Sequence, residues 1–217
     1  TIQRNAERIL QLVNQLMDIR KIDKGQMSLM FKKAEIVSFT RDLLETFEQQ
    51  TRVKKLDLKF HTSAPEIEMW IDPKNFDKII LNLLSNACKF TPENGQVEIS
   101  LSTGEDTHLP QNAPLRRYVE LTVADSGIGI ASTEREHIFE RFYQIRNSQN
   151  NSNVGTGIGL HLTHSLVELH HGNIHVEDNG EGKPGSRFII RLPLGNGHLK
   201  KEEIEEATTA GTLINIP

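Results

Sequence analysis

A single cysteine, Cys88, is all the thiol this chain of 217 residues possesses. One thiol closes no internal disulfide and builds no cysteine-based zinc site, so it reads as a buried thiol in a reducing compartment. Long hydrophobic runs are missing too. The longest nearly apolar stretch, Ile79 to Leu84, already contains Asn82, and it falls far short of the roughly 18–20 residues of a membrane span. Positive charge is not in excess: 25 Lys and Arg stand against 29 Asp and Glu, a net charge of −4. That balance argues against nucleic acid held mainly by charge. The opening Thr1-Ile2-Gln3-Arg4 is no signal peptide. It lies within a helical pattern, so the chain reads as a piece of something longer. What is present is 36% hydrophobic and 25% charged residues, a mixture that can bury a core and excludes wholesale disorder.

Ile2, Ala6, Ile9, Val13 and Leu16 recur at spacings of four, three, four and three. This heptad seam, widened by Leu10, Leu12 and Met17, predicts a helix over residues 1–24 stopped by Gly25. Two readings stand: a helix docked on its own domain, or one strand of an intermolecular helical bundle. No other segment offers an antiparallel partner of equal length, which favours the second. Further on, Met27, Leu29 and Phe31 alternate as a strand, and Glu35 to Arg52 has a helical pattern. Leu56 to Phe60 and Ile67 to Ile71 read as strands. Asp72 and Pro73 open a helix that Thr91-Pro92 ends near Phe90. Val97 to Leu101, Tyr118 to Val123, Ile174 to Val176 and Phe188 to Leu192 are further strands. Helices are expected from Ser132 to Phe142 and from Gly157 to His170. Strands interleaved with helices predict an α/β fold, a mixed sheet covered by helices. Residues 25–195 form this domain, and residues 196–217 read as a linker tail.

On the helix ending at Phe90, the residues Phe76, Ile80, Leu83, Leu84 and Ala87 share one face, while Asn82, Asn86 and Lys89 share another. Aligned Asn residues are unusual on a solvated face, because Asn is a weak helix former. A neutral amide oxygen suits Mg²⁺, and Lys suits phosphate. Asp125-Ser126-Gly127-Ile128-Gly129 follows an apolar strand. A carboxylate there can accept a hydrogen bond from an exocyclic amine such as that of adenine, and glycines let the backbone approach a flat ring; a tight turn is the plain alternative. Gly155-Thr156-Gly157-Ile158-Gly159-Leu160 opens a helix whose free N–H groups can cradle phosphates. The dinucleotide fingerprint is excluded, since the Asn-rich segment before it is no strand. Gly182 and Gly185, before Ser186, fit a hairpin turn or a nucleotide contact equally well.

Taken in order, the Asn stripe, Asp-x-Gly-x-Gly, Phe139-Glu140-Arg141-Phe142, Gly-x-Gly-x-Gly and the late Gly-Ser resemble the catalytic ATP-binding domain of sensor histidine kinases. That domain lies in the superfamily of DNA gyrase, MutL and the heat-shock chaperone ATPases, and the match covers about residues 27 to 194. The resemblance implies a two-layer α/β sandwich of the Bergerat type, with about five strands and three helices, preceded by one bundle helix. It implies ATP and Mg²⁺ as cofactors. Asn86 would bind the metal, Asn82 and Lys89 would face the phosphates, and Asp125 would hold the adenine amine with Gly127 and Gly129 beside the ring. Phe90, Ile130, Phe142, Thr156, Leu160 and Ser186 complete the expected site. Residues 130 to 156 would form a mobile lid hinged at Gly155, Gly157 and Gly159.

The resemblance also assigns residues 1–24 to the second helix of a dimerisation and phosphoacceptor domain. None of the nine His residues has the family's phosphoacceptor context, so that His is expected upstream of Thr1 and this chain is not expected to phosphorylate itself. Where the gyrase-like ATPases carry a Glu general base, this chain has Asn82, and an amide takes no proton from water at neutral pH. Fast hydrolysis is therefore not expected; phosphoryl transfer to an imidazole is. The expected partners are a response regulator receiver domain and a second copy of the chain, with no nucleic acid, in the cytoplasmic part of a membrane sensor. The tail from Gly197 to Ile204 resembles linkers to receiver domains in hybrid sensors of Bacteroides-type bacteria. A non-enzymatic ATP-binding scaffold and an anti-sigma-type serine kinase are the rival readings.

Overall fold

A computed structural model describes residues 2–145, 155–180 and 182–205. Five strands form one mixed sheet in the order β2 (Asp57–Thr62), β4 (Gln96–Glu105), β5 (Arg117–Asp125), β7 (Ser186–Pro193), β6 (Asn173–Asp178). β2 and β4 run parallel; the other pairs are antiparallel. Alternation along the strands turns Val97, Ile99 and Leu101 of β4 and Val119, Leu121 and Val123 of β5 into the core. Two helices, α4 (Pro73–Phe90) and α5 (Gly159–Leu169), cover that face. The result is the expected two-layer sandwich. Phe76, Ile79, Ile80, Leu83 and Leu84 of α4 are fully buried, each contributing roughly 1.5–3 kcal/mol. The start of α4 is as predicted: Asp72 accepts the Asn75 N–H at 3.1 Å, with Pro73 in the first turn. A second, two-stranded sheet pairs β1 (Lys32–Glu35) with β3 (Glu68–Ile71).

Four expectations are corrected. The first strand lies at Lys32–Glu35 rather than Met27–Phe31, because the Met30 N–H is bonded to the Asp72 carboxylate and Phe31 bridges the tail. The helix expected from Glu35 to Arg52 is two, α2 (Ile36–Glu45) and α3 (Glu48–Lys54). Thr46 closes the first by bonding back to Leu43, and Phe47 turns into the core. Ser132 to Phe142 holds 3₁₀ turns, Ser132–Glu134 and His137–Phe139, instead of one helix. The expected linker is seated on the domain as far as Glu205. Phe31 donates to the Glu203 carbonyl at 2.6 Å and accepts from the Glu205 N–H at 2.8 Å, a parallel bridge to Ile204.

Among its described side chains, the leading helix α1 (Ile2–Asp23) docks by its C-terminal end. Ile19 is buried, and Asp18 pairs with Lys78 at 2.7 Å. Ile9, Leu10, Val13, Leu16 and Met17 are exposed, so most of the heptad seam faces away from the domain. No described helix is long and apolar enough to cross a membrane.

His170, at the end of α5, is 2% exposed between Phe31 and Phe76. Its Nδ1–H donates to the Leu166 carbonyl at 2.7 Å, and Nε2 accepts the Asp72 N–H at 3.3 Å. Burial holds its pKa below the ordinary 6.5, with the Leu166 carbonyl and the Asp72 carboxylate opposing. The folded state therefore resists a proton that the unfolded chain accepts, so stability is lost as pH falls below 6.5. Burial lowers His198 as well and adds to the same window. Denaturation midpoints are expected to fall between pH 7 and about pH 5.5, and His170→Gln to flatten that slope. Glu35 acts lower. Although burial opposes, the N–H groups of Ile67, Ser38 and Val37 hold its carboxyl at about 2 rather than 4.5, so its stabilisation is lost as pH falls from 4.5 toward 2.

Candidate nucleotide-binding site

The end of α4 meets the turn after β5, the central strand of the sheet, and approaches the start of α5. β5 delivers Asp125, 7% exposed, opposite Ser186 at the start of β7. One carboxylate oxygen accepts the Gly127 N–H at 2.8 Å. Burial pushes the Asp125 carboxyl up from its ordinary value, and the N–H groups of Gly127 and Ser186 pull against it. A desolvated carboxylate with acceptor capacity left is suited to a neutral amine donor. The turn after it admits no side chain at Gly127, where a Cβ would stand 2.6 Å from both the Asp125 carboxylate and the Phe90 carbonyl. Gly129 has φ +73° and backs onto the Gly185 carbonyl. Asn179 donates to the carbonyls of Asp125 and Pro184, both at 2.7 Å, and so ties the Gly182–Gly185 turn to the site. That turn is the hairpin connection between β6 and β7.

The other side is built on α4. Asn82, Asn86 and Lys89 are all half-buried on it. Asn82 donates to Thr163 Oγ1 of α5 at 2.6 Å, and its amide oxygen lies against Gly159, where any Cβ would collide. Lys89 Nζ stands 3.4 Å from the place of a Gly155 Cβ and 4.6 Å from the centre of the Phe90 ring. The glycines thus remove side chains where α4 faces the start of α5, and the Asn82 amide fills the space left at Gly159. Gly157 (φ +68°) is packed against Phe142, whose N–H donates to its carbonyl at 2.8 Å and whose ring is exposed. Thr156 Oγ1 lies 3.4 Å from the Ile158 N–H. Ile130 and Leu160 are half-buried and pack against the core. Of the expected lid, residues 146–154 lie outside the described residues. Asn86 shares the helix face with its two neighbours.

Two residues were missed in the sequence: Thr163, 81 positions from the Asn82 it meets, and Asn179, 54 positions from the Asp125 carbonyl it bonds, so no local spacing marks either contact.

The fold and the site define a class. The chain belongs to the histidine kinase-, DNA gyrase B- and HSP90-like ATPase family, whose model matches residues 71–196. It is an ATP-binding domain of that family. It is 39% identical over 193 residues to the sensor histidine kinase TmoS of Ectopseudomonas mendocina, covering 89% of this chain and 18% of that protein. The chain thus spans under a fifth of that relative's length. Among solved structures, the nucleotide-free catalytic domain of the histidine kinase ThkA is 25% identical with a TM-score of 0.63, covering 76% of this chain and 97% of that one. Full-length ShkA in complex with AMPPNP is 25% identical with a TM-score of 0.70, covering 88% and 37%.

Proposed function

We propose that this chain is the ATP-binding catalytic part of a sensor histidine kinase, which transfers the γ-phosphoryl of ATP to an imidazole on a preceding helix. The observation that carries this is the pairing of two ends of one site: a buried acceptor, Asp125, and the glycine-lined approach of α4 to the start of α5, where Asn82 lies against Gly159 and Lys89 Nζ stands 3.4 Å from the place of a Gly155 Cβ. Asp125 orients the adenine through its amine, Gly127 and Gly129 admit the ring, and Lys89 offsets phosphate charge. Asn82 is an amide committed to Thr163, so the site has no carboxylate base there to activate water. Positioning and charge neutralisation are what transfer to a His requires.

Among the described residues no group of three or more His, Cys, Asp or Glu side chains converges as a metal site. A hard cation here would be held by the Asn86 amide oxygen and the ligand's own phosphates. When bound, Mg²⁺ would supply neutralisation of phosphate charge. The exposed seam Ile9, Val13 and Leu16 supports assembly through α1 with a second copy. A receiver domain would take the phosphoryl group from the His, and the chain would lie in the cytoplasmic part of a membrane sensor.

Calorimetric titration with a non-hydrolysable ATP analogue tests this. The wild-type chain is expected to bind more tightly with Mg²⁺ than without. Asn86→Ala is expected to lose about tenfold with Mg²⁺ and far less without it. Equal losses in both conditions would remove the metal role, and a wild-type chain that binds no analogue would remove the nucleotide reading.

A further inference from the structure

α3 is a short helix with little apolar reason to exist. Thr51 is its only buried residue, and its Val53 is 79% exposed. What it does is deliver Lys54 to the end of α4. The Lys54 ammonium donates to three carbonyls, Cys88 at 2.7 Å, Lys89 at 2.9 Å and Thr91 at 2.6 Å. An ammonium has three protons, and all three are matched here. The carbonyls ending a helix lack partners within it and carry the negative end of its dipole, so a cation there is doubly favoured. Lys55, the next residue, adopts the left-handed conformation (φ 54°) and turns the chain directly into β2, which fixes where Lys54 stands.

The turn so held carries Lys89 and Phe90. It touches both halves of the site: the Phe90 carbonyl lies against Gly127, and Lys89 Nζ reaches Gly155. We propose that Lys54 is a positioning residue for nucleotide binding: it pins the last turn of α4 by three carbonyls and thereby aims Lys89 at the phosphates. This rests on the ATP-binding reading above. Lys54 itself touches no ligand.

The test is a double-mutant cycle read by titration with the ATP analogue and Mg²⁺, using Lys54→Met, Lys89→Ala and the pair. Lys54→Met is expected to weaken binding about tenfold, the scale of lost hydrogen bonds to a charged group. Because it acts mainly through Lys89, the loss in the double variant should be smaller than the product of the two single losses. Residues that merely support the fold independently would give losses that multiply. Multiplying losses, or a Lys54→Met chain that binds like wild type, would overturn the inference. A wild-type chain that binds nothing overturns the nucleotide reading and this inference with it. Should Lys54→Met fail to fold, Lys54→Gln, which keeps one donor group, carries the same cycle with a smaller first loss.

Discussion

Asp125→Asn is expected to cost the chain about 10–100-fold in ATP affinity, the range for a lost hydrogen bond to a charged acceptor together with the polar group left unpaired. The substitution keeps volume and shape. One side-chain oxygen can still accept the Gly127 N–H that Asp125 accepts at 2.8 Å. The other oxygen becomes an NH₂ group, so a donor faces the donor amine of adenine. Guanine presents a carbonyl at the equivalent ring position, and the same NH₂ suits it. The ATP-to-GTP preference in a competition titration should therefore fall by more than the affinity for either nucleotide alone suggests. An unchanged preference would place the base elsewhere.

Gly185→Ala should act on the fold before it acts on binding. Its φ is +102°, and a Cβ there would overlap the carbonyl oxygen of Asp125. The nearest clashing atoms, the Asp125 carbonyl oxygen and carbon, are backbone, with the Asn179 amide beyond them, so backbone must move, and that backbone carries the site's carboxylate. A loss of about 4 kcal/mol is expected, near the upper end for single substitutions, seen as a melting temperature lower by roughly 10 °C. Gly180→Ala is the control. Gly180 also has positive φ, +74°, but a Cβ would meet nothing within 4 Å, so only the conformational cost of about 1 kcal/mol applies. Equal melting temperatures for the two variants would mean that the contact between Gly185 and Asp125 is not tight.

How much of this could be read in the chain follows from the range over which each signal acts. α4 was legible throughout, because its cap, its apolar face and its Thr-Pro stop are all local, and Asp72 caps as expected. The glycine turns were legible as punctuation, although which backbone each one meets was not. The break between α2 and α3 was hidden, since the helical pattern continues across Thr46 and Phe47 while a buried Phe47 decides the bend. The first strand was misplaced by its own alternation. Leu29 and Phe31 are buried as an alternating pattern implies, but the ladder with β3 starts at Lys32. Within the site, Asp125, Gly127, Asn82 and Lys89 came from motif spacing. Thr163, 81 positions from the Asn82 it holds, and Lys54, 34 to 37 positions from its carbonyls, are set by the tertiary fold alone.

The bridge between Phe31 and Ile204 has a mechanical side. The two segments run parallel, joined by hydrogen bonds of 2.6 and 2.8 Å on either side of Phe31. Chain arriving from α1 and chain departing past Glu205 therefore leave the bridge at opposite ends. Tension between them loads both bonds together, in shear, instead of peeling them one after the other. Everything from β1 to β7 lies in the closed loop behind that bridge. While it holds, a pull along the chain travels across Phe31 and bypasses the sheet, and the nucleotide site stays slack.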